Sequence, residues 1–237
     1  MPSANPAVDR MRPVLETMPV FAGLEERDAV RICESARMRR FSPGDIVIER
    51  GDPPDALYAV ATGRLKVVSP RPGARDATLH ILGPGDVFGE VSMFHPGGRT
   101  ARIVTLEESV LMVIDRDAFL HLLGTVQPLA QRLFGLMAGR MSDIIAHFDE
   151  ATSLGAAQRL ARKLLLLARH FGRPTEDGVG LAIKLSQSDL GELADTTRQT
   201  VNQQLRNWEQ EGVVRRRQGM LEILDEPALR GLAGLEG

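Results

Sequence analysis

The chain is poor in several things, and each shortage closes off a class of explanation. Among 237 residues there is one cysteine, Cys33. A single thiol forms no intrachain disulfide and cannot build a zinc or iron–sulfur site that needs several thiolates. Its helical, apolar neighbourhood fits a small buried residue. Aromatic residues make up only 4% of the chain, so its cores must be aliphatic, and a hydrophobic content of 43% suffices to build them. Apolar runs such as Leu164–Ala168 fall far short of the roughly 20 residues a membrane helix requires. Nothing in the first twenty residues resembles a signal peptide. A cytoplasmic chain with no membrane partner is expected. The formal net charge of −2 excludes a generally basic coat, so any nucleic-acid surface must be local. No cluster combines a nucleophile with a base and an orienting group, and no His/Glu pattern suits a metal, so neither an enzyme nor a metal cofactor is expected.

What is present falls into two textures. The opening MPSANPAVDR is Pro-rich and reads as a mobile lead-in, followed by helical spacing around Val14–Met18 and Glu25–Ala36. From Phe41 to Asp115 short alternating runs separated by turn signals predict about eight strands. The turn Pro-Gly-Asp recurs at Pro43–Asp45 and Pro84–Asp86, an echo of the kind a jelly roll produces. Helical periodicity then returns. A long helix is predicted from near Pro128 to about Glu150, with Leu129, Leu133, Leu136, Met137, Arg140, Met141, Ile144 and Phe148 on one face. That mostly apolar face is too long for one small barrel to cover, so a second copy of the helix is its natural partner. ATSLGAA reads as a hinge, Gln158–Phe171 as a helix, GRPTEDGVG as a loop and Leu181–Leu185 as a short strand.

SQSDLGELADTTRQTVNQQLRNWEQEG reads as two helices joined by a tight turn. Ser186 and Asp189 form a capping box, and Leu190, Leu193 and Ala194 form the buried face of the first helix. In the second, Val201, Leu205 and Trp208 are buried, which turns Arg198, Gln199, Asn202, Gln203 and Arg206 outward. Guanidinium and amide groups suit base edges in a major groove, while Thr197 and Thr200 suit phosphate oxygens. Ser186 and Gln187, at the start of the first helix, join the candidate DNA-binding set. VVRRRQGMLEIL follows as a hairpin, or wing, carrying Arg215 and Arg216. From Arg198 to Arg217 five arginines face two glutamates, a local basic excess in a chain of negative net charge.

The segment FGEVSMFHPGGRTARI carries the sharpest signal of the barrel. Gly89 and Glu90 open a short helical turn starting at Val91, Gly97 and Gly98 bend the chain back, and Arg99, Thr100 and Ala101 enter a strand. A guanidinium, a hydroxyl and free backbone N–H groups are what a phosphate needs, and Glu90 is placed to accept from sugar hydroxyls.

Taken together these residues resemble the cyclic-AMP receptor protein/fumarate–nitrate regulator (CRP/FNR) family along nearly the whole chain. That family's pattern is G-E, eight or nine residues, then R-[ST]-A; here it is Gly89-Glu90, eight residues, Arg99-Thr100-Ala101. The resemblance implies an α+β chain: an N-terminal double-stranded β-helix (jelly roll) over 1–125, a dimerisation helix and hinge over 126–152, and a C-terminal winged helix-turn-helix over 153–237. It also implies a cyclic nucleotide (cAMP or cGMP) as effector, a homodimer, a palindromic double-stranded DNA operator and RNA polymerase as partner. Arg99 and Thr100 would hold the cyclic phosphate and Glu90 the ribose hydroxyl, with Arg140 reaching back towards both.

Two departures are visible. Where cyclic-AMP receptors place a Thr-Ser pair that reads adenine, this chain has Ile144 and Ile145, and neither hydrogen-bonds a base. His80 is an alternative reader. In the recognition helix the family's R-E-T-V-x-x-R becomes Arg198-Gln199-Thr200-Val201-Asn202-Gln203-Gln204, so a different half-site is expected. A same-fold regulator without a small-molecule effector stays open as the alternative. A third reading is a redox or gas sensor of the same family: one cysteine rules out its cluster version, and a haem version needs ligands that five scattered histidines do not obviously supply.

Overall fold

The computed structural model describes residues 6–70, 76–95, 97–217 and 220–235. The first five residues of the Pro-rich opening and the wing's turn at 218–219 lie outside the described residues. By its contacts the chain divides into two compact units, Met1–Pro70 with His80–Ile144, and Arg71–Leu79 with Ile145–Gly237.

The first unit opens on helices α1 (Pro6–Glu16) and α2 (Glu26–Glu34). The Pro-rich opening is therefore helical from Pro6, a residue tolerated in a first turn because its missing N–H has no partner there anyway. Eight strands follow: β1 (Ala36–Phe41), β2 (Ile46–Ile48), β3 (Ala56–Thr62), β4 (Leu65–Ser69), β5 (Ala77–Leu82), β6 (Val87–Phe88), β7 (Arg102–Thr105) and β8 (Ser109–Asp115). They form two sheets, in the orders β1-β8-β3-β6 and β2-β7-β4-β5, which is the double-stranded β-helix. A 3-10 turn, Val91–Met93, separates β6 from β7. Strand β1 starts earlier than the sequence pattern suggested. Its arginines Arg37, Arg39 and Arg40 are exposed on both faces of an edge strand, so no apolar alternation marks it.

Two cores explain the patterning. Ala56, Tyr58 and Val60 of β3 and Leu111 and Val113 of β8 point between the sheets, onto Leu65, Phe88 and Ile103. The alternate residues Leu57, Ala59, Met112 and Ile114 point the other way, into a core with Leu15, Phe21, Ile32 and Phe119 from the helices. A sheet buried on both faces reads as continuous apolar sequence, as ALYAVA and VLMVI do.

Helix α3 (Arg116–Thr125) leads into the long α4 (Gln127–Ser153). The sequence pattern put eight residues of α4 on one intersubunit face, but the structure separates them. Leu129 and Leu133 are 0% and 3% exposed in the core of their own barrel, with Leu136 and Met137 packed beside them. Met141, Ile144 and Phe148 stay exposed, and Phe134 and Ile145 join them. A helix lying on its own domain uses one stripe there and presents another outward.

The second unit contains α5 (Ala156–Phe171), β9 (Gly172–Pro174), β10 (Val179–Leu181), α6 (Gln187–Leu193), α7 (Arg198–Gln210), β11 (Val214–Arg217), β12 (Met220–Ile223) and α8 (Glu226–Leu232). Its sheet runs β11-β12-β10-β9. The expected loop GRPTEDGVG is instead the β9–β10 hairpin, and the strand expected at Leu181–Leu185 ends at Leu181. The apolar Leu181 and Ile183 are buried all the same, which is what made the segment look like a strand. Among the described residues no helix is long and apolar enough to cross a membrane.

Candidate functional site

The Gly-bracketed turn brings together four of the residues singled out in the barrel. Gly89 has φ +89°, and a Cβ there would stand 2.8 Å from an Arg99 guanidinium nitrogen, so the site requires glycine on two counts. Glu90 then opens the 3-10 turn, which buried Ser92 and Met93 anchor while Val91 stays exposed. Gly98 (φ +75°) reverses the chain, and two main-chain bonds tie the exit to the β2–β3 loop: Arg99 N–H donates to Asp52 O (2.9 Å) and Gly51 N–H to Arg99 O (2.8 Å).

Glu90 is fully buried. One carboxylate oxygen accepts from Arg140 of α4, whose other Nη donates to the Val87 carbonyl. The second oxygen, Oε2, is buried and has no hydrogen-bond partner among the described residues. An unsatisfied buried acceptor of this kind costs about 1–3 kcal/mol, more when charged, so the site is chemically primed for a donor.

Arg99 is 3% exposed and heavily engaged. Its Nη1 donates to Gly89 O (2.9 Å), and its Nη2 donates to Ala56 O (2.7 Å) and Asp55 Oδ1 (2.8 Å). The guanidinium carbon lies 5.7 Å from the centre of the Tyr58 ring, which stacks on Phe88. Burial pushes the Tyr58 phenol up, with Asp55 adding to the effect. Asp55, Ala56 and Tyr58 escaped sequence reasoning because they lie over forty residues before Arg99 and belong to no spaced motif.

Thr100 is exposed next to Arg99, and Ala101 is half-buried. Ile144, one turn beyond Arg140 on α4, is 70% exposed, and Ile145 is also exposed. His80 is exposed on β5.

In the second unit the helix-turn-helix forms as read. Ser186 caps α6, its Oγ accepting from Asp189 N–H (3.1 Å) while the Asp189 carboxylate accepts from Ser186 N–H (2.9 Å). Thr197 caps α7 through Thr200 N–H (3.1 Å). Asp195 takes φ +47° in the turn, and Arg159 clamps it, donating to the carbonyls of Ala194 and Asp195 (both 2.9 Å). Val201, Leu205 and Trp208 are buried. Arg198, Gln199, Gln203 and Arg206 are exposed, while Thr200 and Asn202 are half-buried. Amides pair along the outer surface, Gln187 Nε2 to Asn202 Oδ1 (3.3 Å) and Gln203 Nε2 to Asn207 Oδ1 (2.9 Å).

The wing differs from a bare cationic hairpin. Arg215 pairs with Asp177 (2.6 Å) and Glu222 (2.7 Å), and Arg216 forks onto Glu209 of α7. Glu209 is held below the usual carboxylate range, chiefly by its hydrogen bonds from Arg216, and Glu222 is lowered by Thr175 and Arg215. Arg217 remains exposed.

Residues 38–125 match the family model of the cyclic nucleotide-binding domain, and residues 158–232 that of the Crp-like helix-turn-helix domain. The cyclic AMP receptor protein of Thermus thermophilus is 31% identical over 215 residues, which is 91% of this chain and 96% of its own. The CRP-like cAMP-activated global transcriptional regulator of Mycobacterium tuberculosis is 30% identical over 207 residues, 86% of this chain and 92% of its own. FixK2 from Bradyrhizobium japonicum superposes with a TM-score of 0.75 over 83% of this chain and 96% of its own, at 19% identity, a likeness of fold alone. A cyclic-nucleotide-binding-type barrel joined to a winged helix-turn-helix defines a class, the transcription regulators with a sensor domain. Within that class, the chain belongs to the CRP/FNR family.

Proposed function

We propose that the chain works as a homodimer whose affinity for palindromic double-stranded DNA is set by a cyclic nucleotide, cAMP or cGMP, held in the barrel. The observation that carries this reading is Glu90: a fully buried carboxylate with one oxygen on Arg140 and the other without a partner among the described residues. A ribose hydroxyl is the donor such an oxygen suits. Arg99 offers a buried guanidinium on the same turn, and a cyclic phosphate is the anion it suits. Thr100 adds a hydroxyl. Because Arg140 belongs to α4, a ligand that engages Glu90 also touches the helix that would carry the dimer seam. The relative in Mycobacterium tuberculosis is by name a cAMP-activated transcriptional regulator, which supports the same effector here; RNA polymerase as protein partner, in the cytoplasm, is part of the same proposal.

Calorimetric titration of the full chain with cAMP and with cGMP tests the reading. Heat is expected with wild type, and Arg99→Ala is expected to lose it while staying folded, since an uncompensated buried anion typically costs about 2–5 kcal/mol. With Ile144 and Ile145 as the residues nearest the base, apolar contact discriminates weakly, and the two nucleotides should differ less than about a hundredfold. A far stronger preference would transfer base reading to another group, His80 first.

One observation favours the second reading, a same-fold regulator with no effector: the Arg99 guanidinium already has three acceptors. If neither nucleotide shifts the melting temperature of wild type, that reading replaces the first.

A further inference from the structure

We propose that Asp55 is a built-in competitor for the ligand's phosphate at Arg99, an inference that rests on the nucleotide reading above and adds a residue that sets its affinity. A guanidinium offers five N–H groups in a fixed fork. Each of the two edges that can grip an anion bidentately uses one Nη2 hydrogen. Here Nη2 donates to Asp55 Oδ1 (2.8 Å) and to Ala56 O (2.7 Å), while Nη1 donates to Gly89 O (2.9 Å). A phosphate that takes a two-point grip must therefore displace one of the two Nη2 acceptors.

The two are unequal. Ala56 O is main chain at the start of β3, in a buried residue. The Asp55 side chain is 72% exposed, against 2% for the side chain of Arg99, so its carboxylate leaves for water at little cost. Its backbone need not move: Asp55 N–H donates to Pro53 O (3.0 Å), and Asp55 O accepts from Arg116 N–H (2.8 Å). Ala56 O, Gly89 O and the Tyr58 ring keep Arg99 aimed once the carboxylate has gone. Asp55 thus stands in for the anion in the free protein, and whether it swings away or stays, its negative charge opposes an incoming phosphate.

The test is calorimetry with cAMP and with cGMP on the full-length wild type, Asp55→Asn and Asp55→Glu, with melting curves confirming that each is folded. Asp55→Asn keeps the shape and removes the charge, and should bind about 1.5- to fivefold more tightly, the range set by an ion pair with one exposed partner. The gain should shrink in high salt, because an exposed charge is screened. Loss of a merely structural contact would not raise affinity. Unchanged or weaker binding by Asp55→Asn overturns the proposal and leaves the nucleotide reading intact, since wild type still binds. An equal gain in Asp55→Glu, which keeps the charge, overturns it as well. Silence from wild type with binding by Asp55→Asn supports it, and silence from all three overturns both readings.

Discussion

A buried carboxylate survives only where its charge is met, and Glu90 is met on one side alone. Arg140 takes one oxygen and spends its other arm on Val87 O, so the remaining oxygen keeps its capacity for a ligand. The opposite arrangement holds at the wing, where Glu209 and Arg216 satisfy each other by a forked pair. Because Glu209 is lowered in the folded protein, that pair contributes stability above the unfolded carboxylate range and loses it as pH falls through the folded value. Both partners are about a third exposed, so the contribution is no more than about 1 kcal/mol. Denaturant midpoints of wild type and Glu209→Gln should differ at about pH 7 and converge in acid, once the pH has fallen through the lowered folded value of Glu209. A difference that persists there would mean that Glu209 acts through shape and not charge.

At the scale of elements, α4 has one apolar face packed in the barrel core and another exposed. Phe134, Ala138, Met141, Ile145 and Phe148 alternate spacings of four and three, the spacing of a coiled-coil seam, and four of them are apolar side chains more than half exposed. Leu133 lies on the other face, inside the barrel's own core. The two faces should separate by mutation. Met141→Asp, which sets like charges together in a desolvated seam, should sediment as a folded monomer with weak DNA binding. Leu133→Ala should instead lower stability by about 2–5 kcal/mol and leave association intact. A tight Met141→Asp dimer would move the seam elsewhere. The existence of α4 was legible in the periodicity; the division of its faces was not, because both faces are apolar and a period alone does not say which neighbour each one meets. Strand β1 was hidden for the converse reason, since an exposed edge strand of arginines carries no apolar signal.

For the whole molecule, a two-fold dimer would set its recognition helices in successive major grooves, about 34 Å apart. An operator of inverted half-sites roughly one helical turn apart is expected. Within each half-site Arg198 suits guanine, while Gln199 and Gln203 suit adenine. Sites selected from random DNA by wild type and by Gln203→Arg should differ at one position per half-site, moving towards guanine by about 1–3 kcal/mol each. An identical motif would show that Gln203 touches no base. The wing is expected to add less sequence-independent attraction than its arginine count suggests, because Arg215 and Arg216 are already paired with Asp177, Glu222 and Glu209.

Local features were decided by the sequence itself. Capping at Ser186 and Thr197, the buried triplet Val201, Leu205 and Trp208, the apolar runs of β3 and β8 and the Gly-bracketed turn at Gly89–Arg99 all follow from neighbours a few residues apart, where backbone geometry leaves few choices. Only the tertiary structure decided which charges meet. Asp55 reaches Arg99 across 44 positions, and the pair of Glu90 with Arg140, which beforehand only the family resemblance implied, spans 50. Ion pairs of that separation leave no periodic trace, because a charged side chain looks the same in sequence whether it faces water or a buried partner. In this protein those pairings, more than the motif itself, set what the candidate pocket has left to offer a ligand.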